Sequence, residues 1–291
     1  MSGLYDRVLA ERVKGPFKWV GGKRWALEPI SRKLPRWVRT WHEPFLGGGS
    51  IYLGLAPGCP AVLSDGNLHL VDAWRGLQRD PVGALRYLEG WKARHEADPA
   101  ATWAEAKRIA FDYRELPADV GQVVAAGWFL YGQQAVINGL YRTNAAGGLN
   151  AALGKTSKGR PNEIKVDEPG VRLVSRALRA AEILHRPLTR HTIHLLPSLG
   201  EEDVLVIDSP YLGTFDSYTE HRFDEPAHVA LEAYARRQAE RGVPVVLSNS
   251  AEALRLYPGP FWRHEIVNRQ GTMSAGADRS AVGEALIWRA A

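Results

Sequence analysis

The chain carries one cysteine, Cys59, in 291 residues. A single cysteine excludes an intrachain disulfide and argues against a cysteine-based zinc site. No apolar run approaches the roughly 18 residues that a membrane-spanning helix needs. The opening residues, Met1-Ser-Gly-Leu-Tyr-Asp6, lack the apolar core of a secretion signal. Internal repeats and low-complexity linkers are absent too. His191, His194 and His221 share no metal-ligand spacing with other candidates, so no metal is expected. What remains is the profile of a cytoplasmic protein with a large core, and 45% hydrophobic and 24% charged residues suit that profile. Nothing in the sequence sets an oligomeric state, and a monomer is the expectation.

Two nucleotide signatures are also missing. Gly47-Gly-Gly49 has Tyr52 where a dinucleotide fingerprint would place its last glycine. No Lys-Ser/Thr pair follows the glycines, as a P-loop requires, and Gly21-Gly-Lys23 runs on into Arg24.

What is present reads as interrupted α/β grammar. Trp25 to Leu34 has helical spacing, Thr40-Trp-His42 leads into the glycine turn, and Ala61 to Ser64 is a short strand ending at Asp65. Residues 75–135 look helical, with Leu77, Leu85 and Leu88 on one face and an apolar run from Val123 to Phe129. Asn138 to Ala152 reads as a β-hairpin turning at Gly147-Gly148, and helical periodicity resumes from Val171 to Leu184. Val204 to Ile207 is a buried strand, Pro226–Arg241 a helix, Val243 to Leu247 a strand, and Ala285 to Trp288 a last strand. The middle third therefore looks inserted, with a catalytic domain over 1–74 and 167–291 around an insertion over 75–166.

The strand from Val204 delivers Asp208-Ser-Pro-Tyr211 to its C-terminal end, where ligands bind in open α/β sheets. Gly47-Gly-Gly49 lets backbone approach a ligand closely. Asp65 follows about 20 residues on, where an acid can meet ribose hydroxyls; its plain alternative is an Asx-turn in Ser64-Asp-Gly-Asn67. With no diphosphate signature, the set favours S-adenosylmethionine (SAM) beside a pocket for a planar amino base. The lone pair of an exocyclic amine is delocalised into its ring, and two N–H acceptors would localise it for attack on a sulfonium methyl. Asp208 supplies one acceptor and the Ser209 carbonyl the other, while Tyr211 stacks on a base taken out of the duplex.

A net charge of +5 and a pI of about 9.3 are modest. Their distribution favours a polyanion, because Lys155, Lys158, Arg160 and Lys165 cluster while Glu201, Glu202 and Asp203 lie elsewhere.

In order, Lys18-Trp-Val-Gly-Gly-Lys23, Glu43-Pro-Phe-Leu-Gly-Gly-Gly49, Ser64-Asp-Gly-Asn67, Ile137-Asn-Gly-Leu-Tyr-Arg142 and Asp208-Ser-Pro-Tyr211 resemble the Dam-like, D12-class (α-group) DNA adenine-N6 methyltransferases. Ser217-Tyr-Thr219, Leu247-Ser-Asn249 and Arg279 followed by Glu284 extend the match over about residues 14–288. The resemblance implies a mostly parallel, seven-stranded Rossmann-like sheet with a helical, hairpin-bearing target-recognition insertion. It implies that Trp19, Lys23, Phe45, Gly47, Gly49 and Asp65 hold SAM, and that Asp208, Ser209, Pro210 and Tyr211 hold a flipped adenine.

It further implies double-stranded DNA as partner and GATC as the site. Arg142 would read guanine, Leu140 a thymine methyl and Lys18 the first guanine. Asn138 lies in the groove-entering segment, and Asn144, Asn150 and Lys155 would meet phosphates. Arg269 and Arg279 would touch backbone phosphates, or else pair with Glu265 or Glu284. Ser209 stands where the family usually has proline, Ile137 replaces an aromatic, and Ala152 replaces a proline. Arg190-His-Thr-Ile-His194 lacks the family's upstream acid. Cytosine-N4 methylation is the alternative within the same chemistry, and a DNA-binding relative with impaired catalysis the alternative from another class.

Overall fold

The computed structural model describes residues 13–19, 21–55, 58–139, 141–144, 148–213, 223–269 and 282–289. Seven strands form one sheet: β1 (Trp41–Glu43), β2 (Ala61–Asp65), β3 (Ala181–His185), β4 (Val204–Asp208), β5 (Val245–Ser250), β6 (Arg263–Arg269) and β7 (Val282–Arg289). Their spatial order is β3-β2-β1-β4-β5-β7-β6. The first five run parallel, β7 runs antiparallel to β5, and β6 antiparallel to β7. This is the α/β, Rossmann-like sheet that the sequence implied.

Apolar residues cover both faces. Along β4, Val204 and Val206 join one hydrophobic cluster and Leu205 and Ile207 the other. Such double-sided burial explains why β4 reads as a continuous apolar run. The helices are α1 (Leu27–Ser31), α2 (Ser50–Leu55), α3 (Leu68–Arg79), α4 (Pro81–Ala97), α5 (Pro99–Arg108), α6 (Ala118–Ala135), α7 (Glu168–Ala177) and α8 (Glu225–Glu240). Asp80, Asp98, Asp167 and Asp224 cap α4, α5, α7 and α8, each with a proline in the first turn. The side-chain oxygen satisfies an otherwise unpaired N–H, and proline there removes a donor that has no partner anyway.

Two local expectations give way. Helical periodicity does not continue to Leu184: α7 stops at Ala177, and 181–185 form β3, alternately buried and exposed and paired in parallel with β2. Sheet pairing overrides the local pattern there. β6 was not anticipated, because Arg263-His-Glu-Ile-Val-Asn-Arg269 is mostly polar; it lies at the sheet edge, where charged residues belong.

The expected boundary at residue 74/75 falls inside α3, and Leu85, Leu88, Trp103 and Phe129 share one hydrophobic cluster with Leu63 and Val206 of the sheet. The segment after α6 doubles back as an antiparallel ribbon of isolated bridges, Val136 to Leu153 and Thr143 to Leu149, followed by Lys155 to Pro161. Among the described residues no helix is long and apolar enough to cross a membrane.

α3 and α6 pack at Gly76, where an added Cβ would stand 2.0 Å from the Gln122 carbonyl oxygen and 2.9 Å from the Ala126 Cβ. Helix propensity alone favours Gly76→Ala by about 1 kcal/mol. The contact is with backbone, which cannot step aside, so the sign reverses. Gly76→Ala should lower stability by about 1–3 kcal/mol, the usual scale of overpacking, in a denaturant titration. A variant at least as stable as the parent would show that the two helices are not in close contact.

Candidate active site and nucleic-acid face

The chain runs from β1 outward to β2 and β3, then crosses back to β4 and on to β5, so the strand order reverses between β1 and β4. Such a switch point opens a crevice at the C-terminal strand ends. The glycine loop leaves β1 there and Asp208 ends β4.

The glycine loop is fixed by its own surroundings. Gly47 N–H donates to Asp65 Oδ2 at 2.8 Å, Trp74 Nε1 donates to the Gly47 carbonyl at 3.0 Å, and Gly49 N–H donates to Leu46 at 2.8 Å. Gly47 and Gly49 have φ of 49° and 66°, which glycine adopts without strain. Trp19 lies on the loop so closely that a Cβ on Gly48 would fall 2.6 Å from its Cβ. Asp65 Oδ1 also accepts from Asn67 N–H at 2.9 Å. The Asx-turn therefore exists, and the same carboxylate clasps the glycine loop. Phe45 stands edge-to-face with Phe223 at 5.3 Å.

Lys23 is buried and belongs to the same site. Its N–H donates to Ser50 Oγ at 2.9 Å, and its Nζ donates to the Gly21 carbonyl at 2.5 Å. That Nζ also stands 3.1 Å from Asp208 Oδ1 and 4.8 Å from the centre of the Tyr211 ring. The contact with Asp208 is a buried ion pair made through Oδ1, while the Asp208 side chain as a whole is 19% exposed. Burial raises the Asp208 carboxyl above its ordinary range; the Lys23 ammonium pulls it down, and Glu284 pushes it up.

Tyr211 donates to Glu284 Oε2 at 2.9 Å, and its hydroxyl lies 3.2 Å from Ser248 Oγ. Ser209 is buried, and its Oγ accepts from Asn249 Nδ2 at 3.0 Å. Glu43, Ser248, Asn249 and Glu284, which the sequence analysis places in matched motifs but not among the site residues, also border the site. Glu43 is buried, accepts from Trp41 Nε1 at 3.0 Å, and is pushed up to about 8, first by burial and further by Asp208. The one available signal was its place at a strand end before Pro-Phe. Among the described residues no cluster of three His, Cys, Asp or Glu could hold a metal.

Arg142, Asn150, Lys155, Lys158, Arg160 and Lys165 are all exposed along the ribbon and the turn after it. Asn150 N–H donates to the Arg142 carbonyl at 2.8 Å, holding the two opposite each other. Asn144 Oδ1 accepts from Gly148 N–H at 2.9 Å and so closes the turn. Asn138 is exposed at φ 54°, and Ile137 beside it is 49% exposed. Lys18 comes to the same place from the N-terminal loop, since a Cβ on Gly139 would lie 2.4 Å from the Lys18 Cβ. Gln133 Nε2, in its satisfied orientation, donates to the carbonyls of both Gly139 and Lys18. Tyr141 stacks on Phe129 at 5.4 Å and meets Trp19 at 5.9 Å, so the ribbon and the glycine loop share an aromatic seam.

Leu140, Arg279, His221 and Ser217-Tyr-Thr219 lie outside the described residues, as does the side chain of Arg269 at the end of β6. Of the partners expected for those arginines, Glu265 pairs with Lys33 and Glu284 accepts from Tyr211.

Comparison with known proteins fits this arrangement. The family model of the D12 class N6 adenine-specific DNA methyltransferases matches residues 19–272. The chain is 28% identical over 282 residues to Type II methyltransferase M1.LlaDCHI of Lactococcus lactis subsp. cremoris, covering 92% of each. It is 26% identical over 297 residues to Type II methyltransferase M.MjaIII of Methanocaldococcus jannaschii, covering 94% of this chain and 98% of that one. It is 28% identical over 286 residues to a DNA adenine methylase of Vibrio cholerae serotype O1, covering 92% and 93%. The cytosine-N4 alternative falls away, and the chain belongs to the D12 class of N6 adenine-specific DNA methyltransferases.

Proposed function

We propose that this chain methylates adenine N6 in duplex DNA from SAM, at GATC, with the target base flipped out of the helix. The observation that carries the reading is the Asp208 carboxylate at the switch point: buried Lys23 holds its Oδ1 at 3.1 Å and also lies over the Tyr211 ring, while the Asp208 side chain keeps 19% of its surface open. A carboxylate that a lysine holds on one side keeps acceptor lone pairs that a ligand N–H can use. An exocyclic amine presents two N–H groups, one for Asp208 and one for the Ser209 carbonyl. Drawing both into hydrogen bonds returns the nitrogen lone pair to the nitrogen and stabilises the positive charge that develops there. Tyr211, tied to Glu284, offers its ring as the stacking surface.

The residues at the β1 edge fit SAM better than a dinucleotide. Gly47 and Gly49 spend their N–H groups on Asp65 and Leu46, so the loop has few donors left for a diphosphate. Trp19, Phe45 and Lys23 supply two aromatic surfaces and a cation around bare glycine backbone, and Asp65 keeps lone pairs for ribose hydroxyls. When bound, SAM supplies the electrophilic methyl group.

On the DNA side, the exposed cations from Lys155 to Lys165 suit phosphates. Arg142 and Lys18, held by the ribbon and by Gln133, suit guanine edges. Segment 75–166 acts as the target-recognition unit, although it shares its core with the sheet. Arg269 and Arg279 complete the phosphate contacts.

Radiolabelled methyl transfer to DNA from a methylation-free host, followed by mapping of the modified base, tests the reading. Asp208→Ala should retain SAM binding and lose at least ~10²–10³-fold in single-turnover rate, by analogy with removal of one oxyanion-hole donor. Near-parental turnover would end the mechanism. Activity needs the Asp208 carboxylate, so it should fall on acidification. Lys23→Met removes the charge that opposes desolvation. At saturating SAM it should move the acid limb of the rate–pH profile to higher pH, and an unmoved limb would show that Lys23 does not set this charge.

Arg142→Ala should relax one position of the recognition site at a cost of about 1–3 kcal/mol in discrimination. Lys155→Ala should weaken all sequences alike and lower the salt slope by about one. Equal, sequence-independent losses from both would make Arg142 a backbone contact.

A further inference from the structure

The turn that leaves β4 is held from the side by one carboxamide. Asn249, at the end of β5, is fully buried. Its Nδ2 donates to Ser209 Oγ at 3.0 Å and reaches the Pro210 carbonyl at 3.3 Å. Its Oδ1 accepts from Leu212 N–H at 3.0 Å and from Ser250 N–H at 2.9 Å. Ser250 Oγ then donates to the Leu212 carbonyl at 3.0 Å. Residues 209, 210 and 212, which bracket Tyr211, are therefore all tied to the end of the neighbouring strand.

We propose that Ser209 and Asn249 form a positioning pair that aims the Ser209 carbonyl and the Tyr211 ring at the reacting amine. This inference rests on the adenine-N6 reading above. The physical need is specific to serine at this position. Proline would fix φ near −65° by its ring, whereas serine leaves that rotation open. A buried hydroxyl bonded to a buried carboxamide closes it again by an external tie. Parallel pairing of Asp208 with Ser248 brings the two strand ends together and makes the tie possible. Misplacement of a reacting group by about 1 Å can cost about 10²-fold in rate, so such a tie bears directly on turnover.

The test uses two substitutions that both delete the hydroxyl. Ser209→Ala frees the turn; Ser209→Pro restricts it again, and Asn249 keeps the Pro210 carbonyl as its partner. Single-turnover methylation of unmethylated DNA is measured at saturating SAM and DNA, together with SAM and DNA affinities and the thermal midpoint. Ser209→Ala should lose about tenfold in rate with SAM and DNA affinities nearly unchanged, alongside the small fall in midpoint that loss of one buried hydrogen bond brings. Ser209→Pro should recover to within about threefold of the parent, because a ring-fixed φ replaces the lost tie.

A hydroxyl that served only packing would move the midpoint and leave the rate alone. Parental activity in Ser209→Ala, or a loss in Ser209→Pro equal to that in Ser209→Ala, overturns the positioning role while leaving the adenine-N6 reading intact. Absence of transfer by the parent protein overturns both. Asn249→Ala serves as a second check: combined with Ser209→Ala, it should cost less than the product of the two separate losses, because both remove the same bond.

Discussion

The site depends on the parallel pairing of β1 with β4, in which Trp41 lies opposite Val204 and His42 opposite Leu205. These strands are distant in sequence, and their adjacency places the glycine loop and the Asp208 turn at one crevice. The pairing is secured at its far end. Arg39 N–H donates to the Glu202 carbonyl at 2.8 Å, and the Arg39 guanidinium reaches both oxygens of Asp203 at 3.2 Å. A shift of one residue would turn the apolar face of β4 inside out, so burial on both sides of the sheet also holds the register.

Within the crevice the governing problem is charge in a dry place. Asp208 raises Glu43, Glu284 raises Asp208, and the buried cation Lys23 pairs with Asp208. The acids divide the load according to burial. Burial pushes Glu43 up to about 8, whereas Asp208, also raised by burial, has the Lys23 ammonium pulling it back down. Two neighbouring acids on which the surroundings act differently are a common arrangement in acid–base sites. Here the carboxylate that carries the lysine is the one that ends β4.

The ribbon after α6 is built onto the same core. Tyr141 packs between Phe129 and Trp19, while its hydroxyl lies 3.3 Å from His69 Nδ1. Trp19 in turn covers the glycine loop, and Lys18 beside it lies against Gly139. The ribbon and the glycine loop thus share side chains, and among the described residues 75–166 join the same hydrophobic cluster as the sheet.

The sequence by itself determined what local chemistry can determine. A strand apolar on every residue has both faces buried, so β4 and its terminal Asp208 were legible, as were the glycine turn, the helical run after residue 75 and the cationic turn from Lys155 to Arg160. Tertiary structure decided who meets whom. The periodicity through Val171–Leu184 looked helical until pairing with β2 drew 181–185 into the sheet, and the polar edge strand β6 took its form only from β7. Lys23 beside Asp208, Tyr211 bonded to Glu284 and Asn249 bonded to Ser209 join residues far apart in the chain. Side-chain spacing records which face of an element is buried; it holds no record of the partner that the crossovers bring against that face.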